Sequence, residues 1–258
     1  MTRFSLIYLG LFLLLLSVLS FFNIIYSYYF NLYLNIDAYI YTLITSLFLG
    51  STFLIKKKID VKTTIYIKIL TVIIGYLILP LIISIPYYLS IYNISFLNCF
   101  FESVSGFTST GFTIFENIKH IDESLILWRS SSQWIGGIYF LFSIILLIDI
   151  FDDNLKKSLT NFISFNSTEI FKQSLKILLL YSALTLFLFI VLKLINIRTF
   201  DSFNLSMTII SSGGFLPFNN IDLIINSNLK KIVFSILMLF SFFSLFLTYN
   251  FFYLKKKN

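Results

Sequence analysis

Six long apolar runs, at about 4–30, 38–55, 65–90, 125–150, 174–196 and 230–254, constrain this chain more than any other feature. Each is long enough to cross a hydrocarbon core of roughly 30 Å as a helix. Only 12% of the 258 residues are charged and 58% are hydrophobic, too much apolar surface for one soluble core of this size. The same balance excludes disorder, and Cys99 as the single cysteine excludes a disulfide scaffold. The expectation is an all-α polytopic membrane protein with six transmembrane helices. The first run, behind Arg3, is too long for a signal peptide and lacks a small-residue cleavage site, so it counts as a span.

Lys and Arg are distributed unevenly between the two sets of loops. One side carries 13 of them, in Arg3, Lys56–Lys58, Lys62, Lys68, Lys156, Lys157, Lys172, Lys176 and Lys255–Lys257. The other carries 6: Lys119, Arg129, Lys193, Arg198, Lys230 and Lys231. The positive-inside rule then places both termini in the cytoplasm of a multi-pass protein of the cell (inner) membrane. The net charge of +7 reflects this topology rather than nucleic-acid binding.

Two segments fit neither spans nor simple loops. Residues 94–117 and 200–219 are moderately apolar, too short or too polar to cross, and end in Ser, Thr and Gly. A half-length helix followed by a Gly-containing extended stretch is the pattern of a re-entrant loop, tolerated at membrane depth only when buried in protein or lining a wet cavity. A shift of 102 residues lays Gly111 on Gly213, Thr110 on Ser212, Ser109 on Ser211, Phe101 on Phe203 and Arg129 on Lys231. This repeat divides the chain into an N-terminal helical pair (1–62) and two helix–pore loop–helix units, 63–155 and 156–258.

A dehydrated cation needs oxygen ligands without bulk around them, and backbone carbonyls in a narrow extended strand supply these in potassium channels. Glycine allows the required dihedrals. Thr108, Ser109, Thr110 and Gly111 meet these demands, as do Ile210, Ser211, Ser212 and Gly213. Each preceding short helix aims the partly negative end of its dipole at the cavity, which favours a cation. Plain polar turns are the alternative for each stretch taken singly. Glu102, an acid near membrane depth, needs a partner, and Arg129 is the natural one. The pair is expected to brace the loop. Asp201 suits an N-cap or first-turn acid. Asp149, Asp152, Asp153 and His120 read as solvated. A membrane enzyme is not expected, because an activated nucleophile needs a base and the only histidine, His120, lies in a loop; one histidine also cannot build a bis-His haem site.

The stretch FFESVSGFTSTGF, then Ile121-Asp122, then LWRSSSQWIGG from Leu127 to Gly137, resembles the first pore repeat of the Trk/Ktr/HKT potassium transporter family, in the manner of its TrkH-like membrane subunits. FDSFNLSMTIISSGGF resembles the second repeat, and the first two spans resemble the family's extra N-terminal pair. The resemblance implies potassium translocation through a filter of four loops, each with a central glycine, here Gly111 and Gly213. A serine at that place goes with sodium transport. Phe112 is bulkier than the family pattern suggests. No cofactor is implied beyond K+ as the transported ion, held at the filter residues, and no transition metal. The family has four pore repeats and this sequence shows two. A second half or a homodimer would complete the ring, and a cytoplasmic nucleotide-binding regulatory subunit is a further implied partner, with 152–173 as its contact. The alternatives are a non-transporting assembly subunit or an inactive remnant.

Overall fold

A computed structural model describes residues 3–55, 64–147 and 167–254. These form eight α-helices and no strand among the described residues. They are α1 (Arg3–Tyr29), α2 (Ile36–Leu54), α3 (Ile65–Ser90), α4 (Phe96–Phe107), α5 (Glu123–Leu147), α6 (Ser167–Leu194), α7 (Thr199–Ile210) and α8 (Asn228–Leu254). The six long runs of the sequence each overlap a long helix over their described residues, and the two intervening segments each contain a 12-residue helix. Loop 56–63, the segment 148–166 and Lys255–Asn258 lie outside the described residues. So do most of the cations on which the orientation rests, Asp149, Asp152, Asp153, and most of the expected regulatory contact.

Four of the described helices are long and apolar enough to cross a membrane: Ser5–Tyr29, Tyr33–Leu54, Ile65–Ser90 and Ile177–Leu194. Helix α5 is equally long but carries Arg129, Ser130, Ser131, Ser132 and Gln133, all buried. Its polar side chains face protein on every side, which makes it the central post of the bundle.

Close approach and polar pairing hold the helices together, as expected where lipid offers no hydrophobic drive between them. In α1 and α2, Gly10 and Gly50 face each other; a Cβ on either would lie 3.1–3.2 Å from the other's carbonyl oxygen. Ser20 donates to the Tyr39 carbonyl, and Tyr39 in turn donates to Ser124 of α5. Trp128 Nε1 donates to the Ile83 carbonyl of α3, beside the turn that Pro86 interrupts. Trp134 Nε1 donates to Thr185 of α6.

The short helices end in the same way. In α4 the Ser109 N–H donates to Gly106 O and the Thr110 N–H to Ser105 O, both at 3.0 Å. In α7 the Ser212 N–H donates to Ile209 O at 2.9 Å and the Gly213 N–H to Thr208 O at 2.8 Å. Both are Schellman ends, with Ser109 (φ 56°) and Ser212 (φ 53°) in the left-handed position usually given to glycine. The chain then leaves as an irregular segment, and the Ser105 hydroxyl donates to Phe112 O as the Thr208 hydroxyl donates to Phe215 O.

These paired bonds correct the repeat register. Every one is displaced by 103 residues, and so are the capping asparagines Asn117 and Asn220 of the 3-10 turns that follow. The sequence shift of 102 laid Gly111 on Gly213. The backbone instead pairs Gly111 with Gly214, Ser109 with Ser212, Thr108 with Ser211 and Phe112 with Phe215. Helices α5 and α8 start 105 residues apart, so the position of Arg129 falls on Phe234 rather than Lys231.

Candidate functional site

The two loop segments meet at Gly111 and Gly214. Gly111 has φ +81°, and a Cβ on it would lie 2.5 Å from Gly214 Cα and 2.8 Å from Gly214 N. No other residue fits at Gly111, on both conformational and steric grounds. Thr108, Thr110 and Ser212 are exposed along this junction, with Ser109 and Gly213 half-buried. Ile210 and Ser211 are buried. Ile210 closes the last turn of α7 and packs into the core, away from the loop segment. Thr108 and Thr110 hydroxyls are 2.7 Å apart.

Behind the first loop segment, Glu102 and Arg129 come together. Arg129 Nε lies 2.9 Å from Glu102 Oε1, with the side chains 1% and 0% exposed. The Thr113 hydroxyl and the Ile114 N–H also donate to the carboxylate, each at 3.0 Å. A buried carboxylate thus has a cation and two further donors, which is what keeps such a charge tolerable. The guanidinium reaches further. It donates to Thr113 Oγ1 at 3.0 Å and toward the Leu216 carbonyl at 3.4 Å. It also stacks over the Phe215 ring, 4.2 Å from its centroid. One side chain on α5 therefore holds loop 108–117 and loop 211–219 together.

Four residues outside the expected site serve the same junction. Gln133, fully buried, accepts the Phe215 N–H on Oε1 at 3.3 Å, while its Nε2 has no protein partner. A Cβ on Gly213 would fall 2.5 Å from that carboxamide. Asn219 accepts the Ile118 N–H at 2.6 Å and donates to Glu116 O at 2.9 Å, tying the second loop to the first. Gly106 leaves room for the Phe215 ring, and Gly136 lets α5 rest on the Phe107 carbonyl. Phe215 repeats Phe112 at 103 residues, but the contacts that Thr113, Phe215 and Asn219 make exist only once two loops 103 residues apart are in contact.

At the rim, Arg198 pairs with Glu123 at 2.6 Å, and that carboxylate holds its guanidinium above the ordinary value. Asp201 sits in the first turn of α7, but Arg198 occupies the N-cap position. Burial pushes the Asp201 carboxyl up, against the opposing pull of Arg198. His120 is exposed at the end of a 3-10 turn. Among the described residues no cluster of three His, Cys, Asp or Glu could hold a metal ion.

No protein-family model matches the chain. An uncharacterized cation transporter of Methanocaldococcus jannaschii is 30% identical over 173 residues, covering 64% of this chain and 35% of the relative. The Trk system potassium uptake protein TrkI of Halomonas elongata is 43% identical over 60 residues, 23% of this chain and 11% of that protein. The crystal structure of the potassium transporter TrkH from Vibrio parahaemolyticus superposes with a TM-score of 0.67 at 22% identity, over 90% of this chain and 48% of that one. The chain is homologous to the Trk-type transporters. It has their membrane fold, and it spans about a third of the length of the M. jannaschii relative and about half of TrkH.

Proposed function

We propose that the chain supplies two pore repeats of a Trk-type potassium-translocating pore. The observation that carries this reading is the junction at Gly111 and Gly214. Two short helices end in identical Schellman turns and send hydroxyl-bearing loop segments to a single point of close backbone approach. In this reading all six long helices span the membrane, α4 and α7 enter from the outer side as re-entrant helices, and both termini lie in the cytoplasm. Carbonyls and hydroxyls of Thr108, Ser109, Thr110 and Gly111 face K+ from one loop, and those of Ser211, Ser212, Gly213 and Gly214 from the other. The 103-residue register moves the central glycine of the second loop from Gly213 to Gly214 and leaves Ile210 as packing. Dehydration at these oxygens selects the ion, and the membrane potential drives it. Glu102 and Arg129 position the loops and do not touch the ion. Further pore repeats complete the ring, and a cytoplasmic nucleotide-binding subunit regulates it.

Potassium uptake in cells lacking their own uptake systems tests this reading, with the chain expressed alone and beside segments that supply further repeats. Gly111→Ser and Gly214→Ser are expected to abolish uptake or admit sodium. Uptake indifferent to both substitutions would overturn the filter assignment and favour a non-transporting assembly role.

A further inference from the structure

Phe112 and Phe215 occupy equivalent positions with opposite fates. Each follows the junction glycine of its loop, and each has its carbonyl fixed by a hydroxyl seven residues back. Phe215 is 1% exposed and Phe112 is 70% exposed. Gly106, Arg129 and Gln133, which meet the Phe215 ring and its N–H, all lie on the first repeat. The ring rests against Gly106, where a Cβ would come within 2.9 Å of it, and beneath the Arg129 guanidinium, while its N–H is held by Gln133. The second loop thus plugs a ring into the first repeat. Phe112 is the same plug with nothing to enter.

The second repeat does not offer that seat. On the 103-residue register the place of Gly106 is taken by Ile209, buried in the core with its carbonyl accepting from Ser241. On the α5-to-α8 register Phe234, Leu237 and Met238 stand where Arg129, Ser132 and Gln133 stand in the first repeat. A Cβ at the Gly106 position would come within 2.9 Å of a ring seated as Phe215 is, and closer still to Ser132 Oγ, so the branched side chain of Ile209 leaves less room there than the glycine does. A second copy of this chain therefore does not offer Phe112 the same seat.

We infer that Phe112 docks into a non-identical helix–loop–helix segment that carries glycine at the position of Gly106. The contact continues the interface between the two repeats of this chain by one further step. Cationic stacking on the ring, as from Arg129, adds to the seat but is not required of it; the glycine is. The inference rests on reading the chain as part of a multi-repeat pore. The two fail separately: loss of transport with the contact intact defeats only the filter, and loss of the contact defeats only the docking.

The test places a photoreactive phenylalanine analogue at position 112 of the full chain in its own membrane. The exposed site tolerates the label, and a melting profile equal to that of the unlabelled protein shows the fold is kept. The expected adduct is a peptide from outside these 258 residues that contains a short helix with glycine in its last turn before a hydroxyl- and glycine-bearing loop. An adduct with 205–241 of a second copy overturns the inference. So does an adduct with a segment lacking that glycine, or labelling confined to lipid or to the chain's own monomer.

Discussion

The Glu102–Arg129–Thr113 cluster allows a quantitative test, because the second repeat supplies its apolar version. At the corresponding positions stand Leu205, Leu216 and Phe234, of which Leu205 and Phe234 are buried. Arg129→Phe leaves Glu102, 0% exposed, with only the Thr113 hydroxyl and the Ile114 N–H. Glu102→Leu leaves a guanidinium 1% exposed, with the Thr113 hydroxyl, a long contact to Leu216 O and two aromatic faces. Removing one partner of a buried pair costs about 3–5 kcal/mol. For a chain of this size that corresponds to a fall in melting temperature of roughly 6–20 °C. Glu102→Leu is expected at the upper end, since a carboxylate can neutralise itself by taking a proton and a guanidinium cannot.

The triple variant Glu102→Leu, Thr113→Leu, Arg129→Phe removes both charges and the bridging hydroxyl together. It is expected to melt well above either single variant, with a favourable coupling of at least about 2 kcal/mol, because no uncompensated charge is left inside. Melting in detergent by intrinsic fluorescence, with size exclusion to follow the folded fraction, reads these differences. Uptake provides a second readout: the triple variant recovers stability but has lost the guanidinium that spans both loops, so transport stays low. A triple variant no more stable than the sum of its singles would refute the argument that charge compensation dominates here. One with full transport would refute the loop-bridging role of Arg129.

Alanine at the three junction glycines should be graded. Gly111→Ala meets backbone at 2.5 Å with φ +81° and is expected to abolish uptake without rescue. Gly214→Ala meets Gly111 Cα at 3.2 Å and should impair uptake partially. Gly213→Ala meets the Gln133 carboxamide first, at 2.5 Å, so adding Gln133→Ala should recover part of the lost function, short of full recovery because the Phe215 N–H loses its acceptor, measured as potassium-limited growth. Gly136→Ala pushes α5 off the Phe107 carbonyl and should destabilise by about 1–3 kcal/mol, seen as a lower melting temperature. Arg198→Gln breaks an ion pair whose members are 57% and 36% exposed. It should change stability by less than about 1 kcal/mol, within the scatter of the melting measurement.

Helix placement was legible in the sequence because hydropathy runs and helix length answer to the same bilayer thickness. The 65–90 run and α3, Ile65–Ser90, share both ends. The short helices were legible from their polar, glycine-bearing C-terminal stretches. The register was legible too, although the 102-residue shift missed it: a shift of 103 lays Ser109 on Ser212, Gly111 on Gly214, Phe112 on Phe215 and Asn117 on Asn220, and the Schellman bond from Gly213 to Thr208 agrees. Glu102 with Arg129 could be anticipated because a buried acid requires a cation. Arg129's reach to Leu216 and Phe215 could not, because composition says nothing about which loop lies within a guanidinium's length.

The asymmetry between the repeats follows from that reach. A charge pair confined to one repeat would be a poor substitute for Leu205, Leu216 and Phe234, since desolvation offsets most of what the pair returns. Arg129 escapes that balance by using its remaining donors on the Leu216 carbonyl and its face on Phe215, both in the other loop. The polar cluster is therefore placed where one repeat must hold its neighbour. Helix α5 can bury it because its flanks are closed by α1, α3, α4 and α7. Helix α8 presents Ile232, Ile236, Met238 and Leu239 as exposed apolar side chains. The two repeats end their short helices alike, and in the first the polar cluster serves the loop of the second that lies against it.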